Sequence, residues 1–166
     1  MVKVVCFVPL FDPNERFSCA RCGRCCGKGL NEWWLELLPV EVQRLRESGL
    51  LKGVRFRNGR AFLARGKEGS CVFLNEDNLC TLRIEYGWHP LGCRLFPLGV
   101  YIVNSTLFIY LNRPYARKIG CKGLGKGETL GAQIDRVLDA LRDANVIKDY
   151  YADVSPIRFN GISFLS

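Results

Sequence analysis

The chain has 166 residues, 48% of them hydrophobic and 11% aromatic, so it is long enough for a core of its own and too apolar for a disordered tail. No run of about 20 apolar residues is present to cross a bilayer, and the apolar start from Met1 to Leu10 is too short for a secretory signal. Lysine and arginine outnumber aspartate and glutamate by 24 to 16, a formal charge of +8 that suits an anionic partner, and the expectation is a cytoplasmic domain with no membrane segment.

Val2 to Val8 is a short apolar run, expected to form a buried strand or an anchored terminus. From Phe17 to Gly29 the composition turns to Cys, Gly, Arg and Lys, the chemistry of a loop around a site. Trp33 to Leu38 reads as a short strand, and Pro39 opens a helix that runs to about Arg46 and stops at Ser48-Gly49. The clearest hairpin signal follows, Val54 to Leu63 about Asn58-Gly59, a pair suited to a type I′ turn. Such a turn sets Arg57 opposite Arg60 and Arg55 opposite Phe62 on one face, with Val54, Phe56, Ala61 and Leu63 on the other. Residues 71 to 97 hold three cysteines and little periodicity. A second hairpin, Val100 to Leu111 about Asn104-Ser105, is apolar on both faces and is expected to be buried. From Thr129 to about Ala144, Ile134, Val137, Leu138 and Leu141 recur at helical spacing. The tail to Ser166, with Pro156 and Gly161, is expected to be irregular or a final short strand. Together these predict an α+β fold: a small single domain over residues 1–166 with short hairpins, two helices and a cysteine-rich, loop-dominated metal-binding core.

Nine cysteines are the outlier, and in a reducing compartment they point to thiols or metal sites before disulfides. Cys19, Cys22, Cys25 and Cys26 form C-x2-C-x2-C-C, and Cys71, Cys80, Cys93 and Cys121 follow with eight, twelve and twenty-seven residues between them. Two residues between thiolates let the backbone curl so that both sulfurs face one cation, and Gly23 and Gly27 suit that wrapping. In an extended segment the adjacent Cys25 and Cys26 point to opposite faces, so they are expected to serve two centres. Eight cysteines divide into two sets of four, and one cluster with spare thiols also fits. Soft thiolates suit both zinc and iron-sulfur clusters. Only the first segment has zinc-knuckle spacing, whereas C-x2-C-x2-C is like the run around a ferredoxin cubane, which favours iron-sulfur over zinc. Two four-thiolate centres at about −2 each reduce the net charge to about +4. Cys6, inside an apolar run, is read as a small buried hydrophobe.

At these residues the sequence resembles the CxxCxxCC family of zinc- or iron-chelating domain proteins. The matching features are Phe17-x-Cys19-x-x-Cys22-Gly23-x-Cys25-Cys26, Cys71-x-Phe73-Leu74 with Cys80, Cys93-Arg94-x-Phe96-Pro97, and Cys121 before the glycine-rich Lys122 to Gly127. The likeness spans roughly residues 17 to 127 and implies that the eight cysteines are the metal-binding set. A bacterial flagellin lysine methylase is similar in its cysteine motif and implies an iron-sulfur cluster. The chain departs from the family pattern at Leu82-Arg83 and at His89-Pro90, where the family has Ile-Tyr and Arg-Pro, and His89 becomes a candidate donor to a cysteine sulfur.

Gly49 to Lys67 and Tyr86 to Gly127 contain no acidic residue and six Lys or Arg each. Like charges facing across a hairpin are unfavourable unless an anion neutralises them, so Arg55, Arg57 and Arg60 are candidate anion contacts for RNA or another polyanion. There is no dinucleotide fingerprint, Walker loop or zinc-protease motif, and Gly123 to Gly127 reads as a flexible connector before a phosphate cradle. Catalytic residues are therefore unknown, and redox or methylase-accessory activity rests on family analogy alone. The favoured function is a cysteine-ligated iron-sulfur protein with an electron-transfer or structural role, working with a protein or redox partner. The alternative is a zinc-stapled module for RNA or another polyanion.

Overall fold

The computed structural model describes residues 3–4, 6–28 and 34–148; Trp33 and the expected final segment through Pro156 and Gly161 lie outside the described residues. In chain order the elements are β1 (Cys6–Leu10), β2 (Arg16–Phe17), α1 (Pro39–Glu47), β3 (Val54–Arg57), β4 (Arg60–Leu63), α2 (Thr81–Tyr86), α3 (Leu91–Leu95), β5 (Leu98–Val103), β6 (Thr106–Leu111), α4 (Arg113–Lys118), β7 (Glu128–Thr129) and α5 (Ile134–Asp143). The fold is a small mixed α and β arrangement, with five helices among the described residues where two are expected from the pattern. Three of them, α2, α3 and α4, are only five or six residues long, too short for a 3.6-residue repeat to show.

The second hairpin turns through Asn104 and Ser105, both in the left-handed region at φ 47° and 63°, and pairs Val103 with Thr106 and Leu98 with Leu111. β1 runs parallel along the other edge of β6, Cys6 opposite Thr106, giving the order β1-β6-β5. One face of this sheet, with Leu98, Leu107 and Ile109, packs against Val137, Leu138, Ala140 and Leu141 of α5 in a first hydrophobic core. The other face carries Tyr101 stacked on Phe108 at 4.9 Å, and Tyr101 and Val103 remain 44% and 49% exposed. The hairpin is thus buried on one face and not on both, because among the described residues the helical layer covers a single side.

The first hairpin has the expected register, Arg57 opposite Arg60 and Arg55 opposite Phe62, about left-handed Asn58 and Gly59. Leu63 reaches a second core formed with Leu37, Leu45, Phe73 and Leu82, whereas Phe56, on the outer strand, stays 58% exposed. The expected strand at Trp33 to Leu38 is a single bridge, Glu36 to Phe62, flanked by Leu37 N–H to the Ala61 carbonyl at 2.8 Å and Leu63 N–H to the Leu35 carbonyl at 2.9 Å.

β2 pairs with β7, and Phe17 bridges to Leu124. Ser18 N–H donates to the Gly123 carbonyl at 3.2 Å and Gly125 N–H to the Arg16 carbonyl at 2.8 Å, so the glycine-rich segment is packed backbone and not a flexible connector. A side chain at Gly123 would collide with the Ser18 carbonyl oxygen. Gly123→Ala should therefore destabilise the protein by about 1–3 kcal/mol in a urea titration, the usual cost of overpacking, and an unchanged midpoint would show that this contact is slack.

Candidate metal centre

A cavity of about 780 Å³ lies between the two cores. Leu63, Phe73 and Leu82 of the second core and Leu95, Leu98, Val137 and Ala140 of the first line it. Cys19, Cys25, Cys26, Cys71, Cys80 and Cys93 open into it, whereas Cys22 and Cys121 do not line it. Three chain regions therefore bring six of the eight expected cysteines to one place.

Each region is held locally. Gly23 and Gly27, at φ 71° and 86°, bracket a 3-10 turn over Arg24–Cys26. Within that turn the Cys25 and Cys26 sulfurs are 4.0 Å apart and both face the cavity. The segment is not extended, so the geometric reason for assigning these neighbours to two centres does not apply. Cys71 N–H donates to the Cys26 carbonyl at 2.8 Å, tying the second region to the first. Cys80 is bridged to Leu74, and Cys71 Sγ accepts from Phe73 N–H at 3.4 Å. Cys93 sits in α3, whose first N–H, on Leu91, donates to Glu41 Oε1 at 2.5 Å. Arg24 donates to the Ile119 carbonyl at 3.4 Å, which brings the turn before Cys121 beside the Arg24–Cys26 turn.

The thiols are electrostatically coupled. Burial first, then the neighbouring Cys71, Cys80 and Cys25 and the Glu41 carboxylate, push the Cys93 thiol well above its ordinary value. Cys25 is raised by its hydrogen bond with Cys26 and by burial, and Cys71 is pushed up to about 11, mainly by burial. The Tyr115 hydroxyl is raised by burial and by Cys25, Cys26 and Cys93, which puts Tyr115 beside the same group. Among the described residues no three Cys, His, Asp or Glu side chains stand close enough together to hold an ion as they are. Cys71, Cys26 and Cys80 are packed as members or neighbours of the second hydrophobic core.

His89 lines the cavity, and burial followed by Arg83 and Arg94 holds its ring neutral, with a pKa near 4. Among the described residues it makes no hydrogen bond to a cysteine sulfur. Of the candidate anion contacts, Arg55 and Arg57 are exposed, but Arg60 is paired with Glu36, its Nε donating to Oε1 at 2.6 Å. Sequence reasoning missed Glu41, which is only 7% exposed and whose Oε2 accepts from Leu38 N–H at 2.8 Å while Oε1 takes Leu91 N–H. Burial raises its carboxyl pKa against the pull of those two donors. An acid in the first turn of a helix is the signal available in the sequence for the Leu38 contact; nothing local announces the one to Leu91.

A family model, CxxCxxCC, described as "Putative zinc- or iron-chelating domain", matches residues 18–119. No curated protein and no solved structure matches the chain. No helix among the described residues is long and apolar enough to cross a membrane.

Proposed function

The chain belongs to the CxxCxxCC family, and from that membership we propose that the cysteine-lined cavity is a single metal centre holding an iron-sulfur cluster. The observation that carries this reading is the convergence of Cys19, Cys25, Cys26, Cys71, Cys80 and Cys93 on one cavity. Cys25, Cys71, Cys80 and Cys93 are the proposed core of the ligand set, since all four line the cavity, Cys71, Cys80 and Cys25 all act on Cys93, and Cys80 acts on Cys71. Cys19 and Cys26 border them, and Cys22 and Cys121 flank the two turns that Arg24 ties together.

The donor chemistry fits a soft cation. Burial and neighbouring thiols hold Cys25, Cys71 and Cys93 protonated, and a thiophilic metal displaces such protons. A cavity of about 780 Å³ bordered by six cysteines exceeds the space and ligands needed by one ion, which favours a cluster. When bound, such a cluster supplies a one-electron redox couple, and the two cores around it supply an apolar wall that tunes its potential.

Zinc is the second reading, favoured by the 4.0 Å separation of the Cys25 and Cys26 sulfurs. Two thiolates on a tetrahedral zinc at about 2.3 Å from each sulfur stand about 3.8 Å apart. In that case the centre staples the two halves of the fold, and the chain's work with a partner falls to its surface.

Iron, zinc and acid-labile sulfide, measured per chain on protein purified without oxygen, separate these readings. Iron with equal sulfide is the expected result. Zinc without sulfide makes the centre structural, and neither metal nor sulfide reduces the cysteines to thiols and removes the proposal.

A further inference from the structure

A second cavity, of about 510 Å³, shares Arg83, His89 and Arg94 with the cysteine cavity, so the same three side chains stand between the two. Besides burial, the charges of Arg83 and Arg94 both act on the His89 ring, which places these residues together. Arg44 of α1 and Trp88, in the loop between α2 and α3, also line this second cavity. The Arg44 guanidinium lies over the Trp88 ring, 4.9 Å from its centroid.

Two carboxylates line the cavity, and both are already engaged. Asp143 Oδ2 accepts from Arg94 at 2.8 Å, and the two oxygens of Glu41 take the Leu38 and Leu91 N–H groups. Arg44 and Arg83 are exposed, and among the described residues neither has an acidic partner. An electron carrier has to dock where little protein stands between its own redox group and the cluster, and a wall of shared side chains meets that requirement. Cations without a partner of their own attract a carboxylate-rich surface and speed its encounter. Arginine and tryptophan are also the residues that most often anchor an interface once docked.

We infer that the face bearing Arg44, Arg83 and Trp88 is the docking surface for an acidic one-electron carrier protein. This role rests on the iron-sulfur reading of the centre. In the exchange one electron passes between the carrier's redox group and the cluster; one is oxidised as the other is reduced, and no bond is made or broken.

The test uses the full chain with its cluster, without oxygen, and a flavodoxin as the acidic carrier, in whichever direction is downhill between the two measured potentials. The flavin semiquinone band, followed by stopped flow at two salt concentrations, gives the second-order rate constant per cluster. Arg44→Glu and Arg83→Glu should each slow transfer roughly tenfold at low salt. Lys52→Glu makes the same charge change at an exposed residue that lines neither cavity, and should slow it less than about twofold. The parent's rate should fall as salt rises, and the rates of the two arginine variants should fall less. Both arginines are exposed, so the variants should keep the cluster, which iron and sulfide content checks. A parent without a cluster sinks the iron-sulfur reading and the docking role together. With the cluster present, no transfer in the parent, equal rates in all four proteins, or an equal loss in Lys52→Glu overturns the docking surface alone, since diffuse positive charge produces the last pattern.

Discussion

Replacing Cys93 with serine should strip the protein of most of its metal and destabilise it by at least about 3 kcal/mol, whereas Cys6→Ser should leave metal content unchanged. Cys93 is the cysteine on which Cys71, Cys80 and Cys25 all act, and it is carried by α3 at the boundary between the two cores. A hydroxyl is a poor ligand for a thiophilic metal, and structural metal sites contribute about 10–16 kcal/mol of apparent folding free energy, so losing one of four thiolates removes a sizeable part. For a domain of this length that corresponds to a thermal midpoint lower by roughly 6–12 °C. Cys6 is a different environment: its sulfur lies 3.5 Å from Thr106 Oγ1 at the start of β1 and does not line the cavity. Metal analysis and calorimetry on the two variants check this, and full metal retention by Cys93→Ser refutes the proposed ligand set.

Glu41→Ala should cost about 2–6 kcal/mol and lower metal affinity although Glu41 is not a proposed ligand. Its two carboxylate oxygens cap two helices from different parts of the chain, Leu38 N–H at the start of α1 and Leu91 N–H at the start of α3. Alanine leaves both donors without an acceptor in a site that is nearly closed to water, and each such loss costs about 1–3 kcal/mol. Because Leu91 is two residues from Cys93, freeing that end of α3 also loosens a cysteine. Glu41→Gln should fall between the two proteins: the amide avoids burying a charge but turns its NH₂ toward one of the two N–H groups. Urea unfolding with parallel metal analysis measures both effects, and an alanine variant as stable as the parent would show that the carboxylate carries neither cap.

The parts of the fold that could be read from sequence are those fixed by short-range chemistry. Asn58-Gly59 admits two consecutive left-handed residues, and that turn alone set the register of Arg55, Arg57, Arg60 and Phe62. α5 shows itself because Val137, Leu138 and Leu141 return to one side at helical spacing. What stayed hidden depends on partners far along the chain. The parallel pairing of β1 with β6 joins Cys6 to Thr106, one hundred residues on. α2 and α3 are shorter than the two turns over which a helical repeat shows itself, and α3 begins on a carboxylate fifty residues upstream. The cysteine motif announced metal chemistry, but the bend that turns Cys25 and Cys26 to one side is a property of the folded turn. The exposed outer face of β5 and β6 was unreadable for the opposite reason: an apolar pattern states what a strand could bury and not what is available to cover it.

The position of the cysteine cavity has a consequence for how the molecule comes apart. Cys71, Cys80 and Cys26 pack with the second core, whereas Cys93 shares α3 with Leu95 of the first. A metal held by both sets couples two regions that otherwise have separate apolar interiors, so cooperativity becomes a property of the bound metal. With the centre filled, amide protons of β6 and of α1 should exchange together through one global opening. Once it is emptied they should exchange as two units with different opening free energies. The supply of the metal would then decide whether the chain behaves as one folding unit or two.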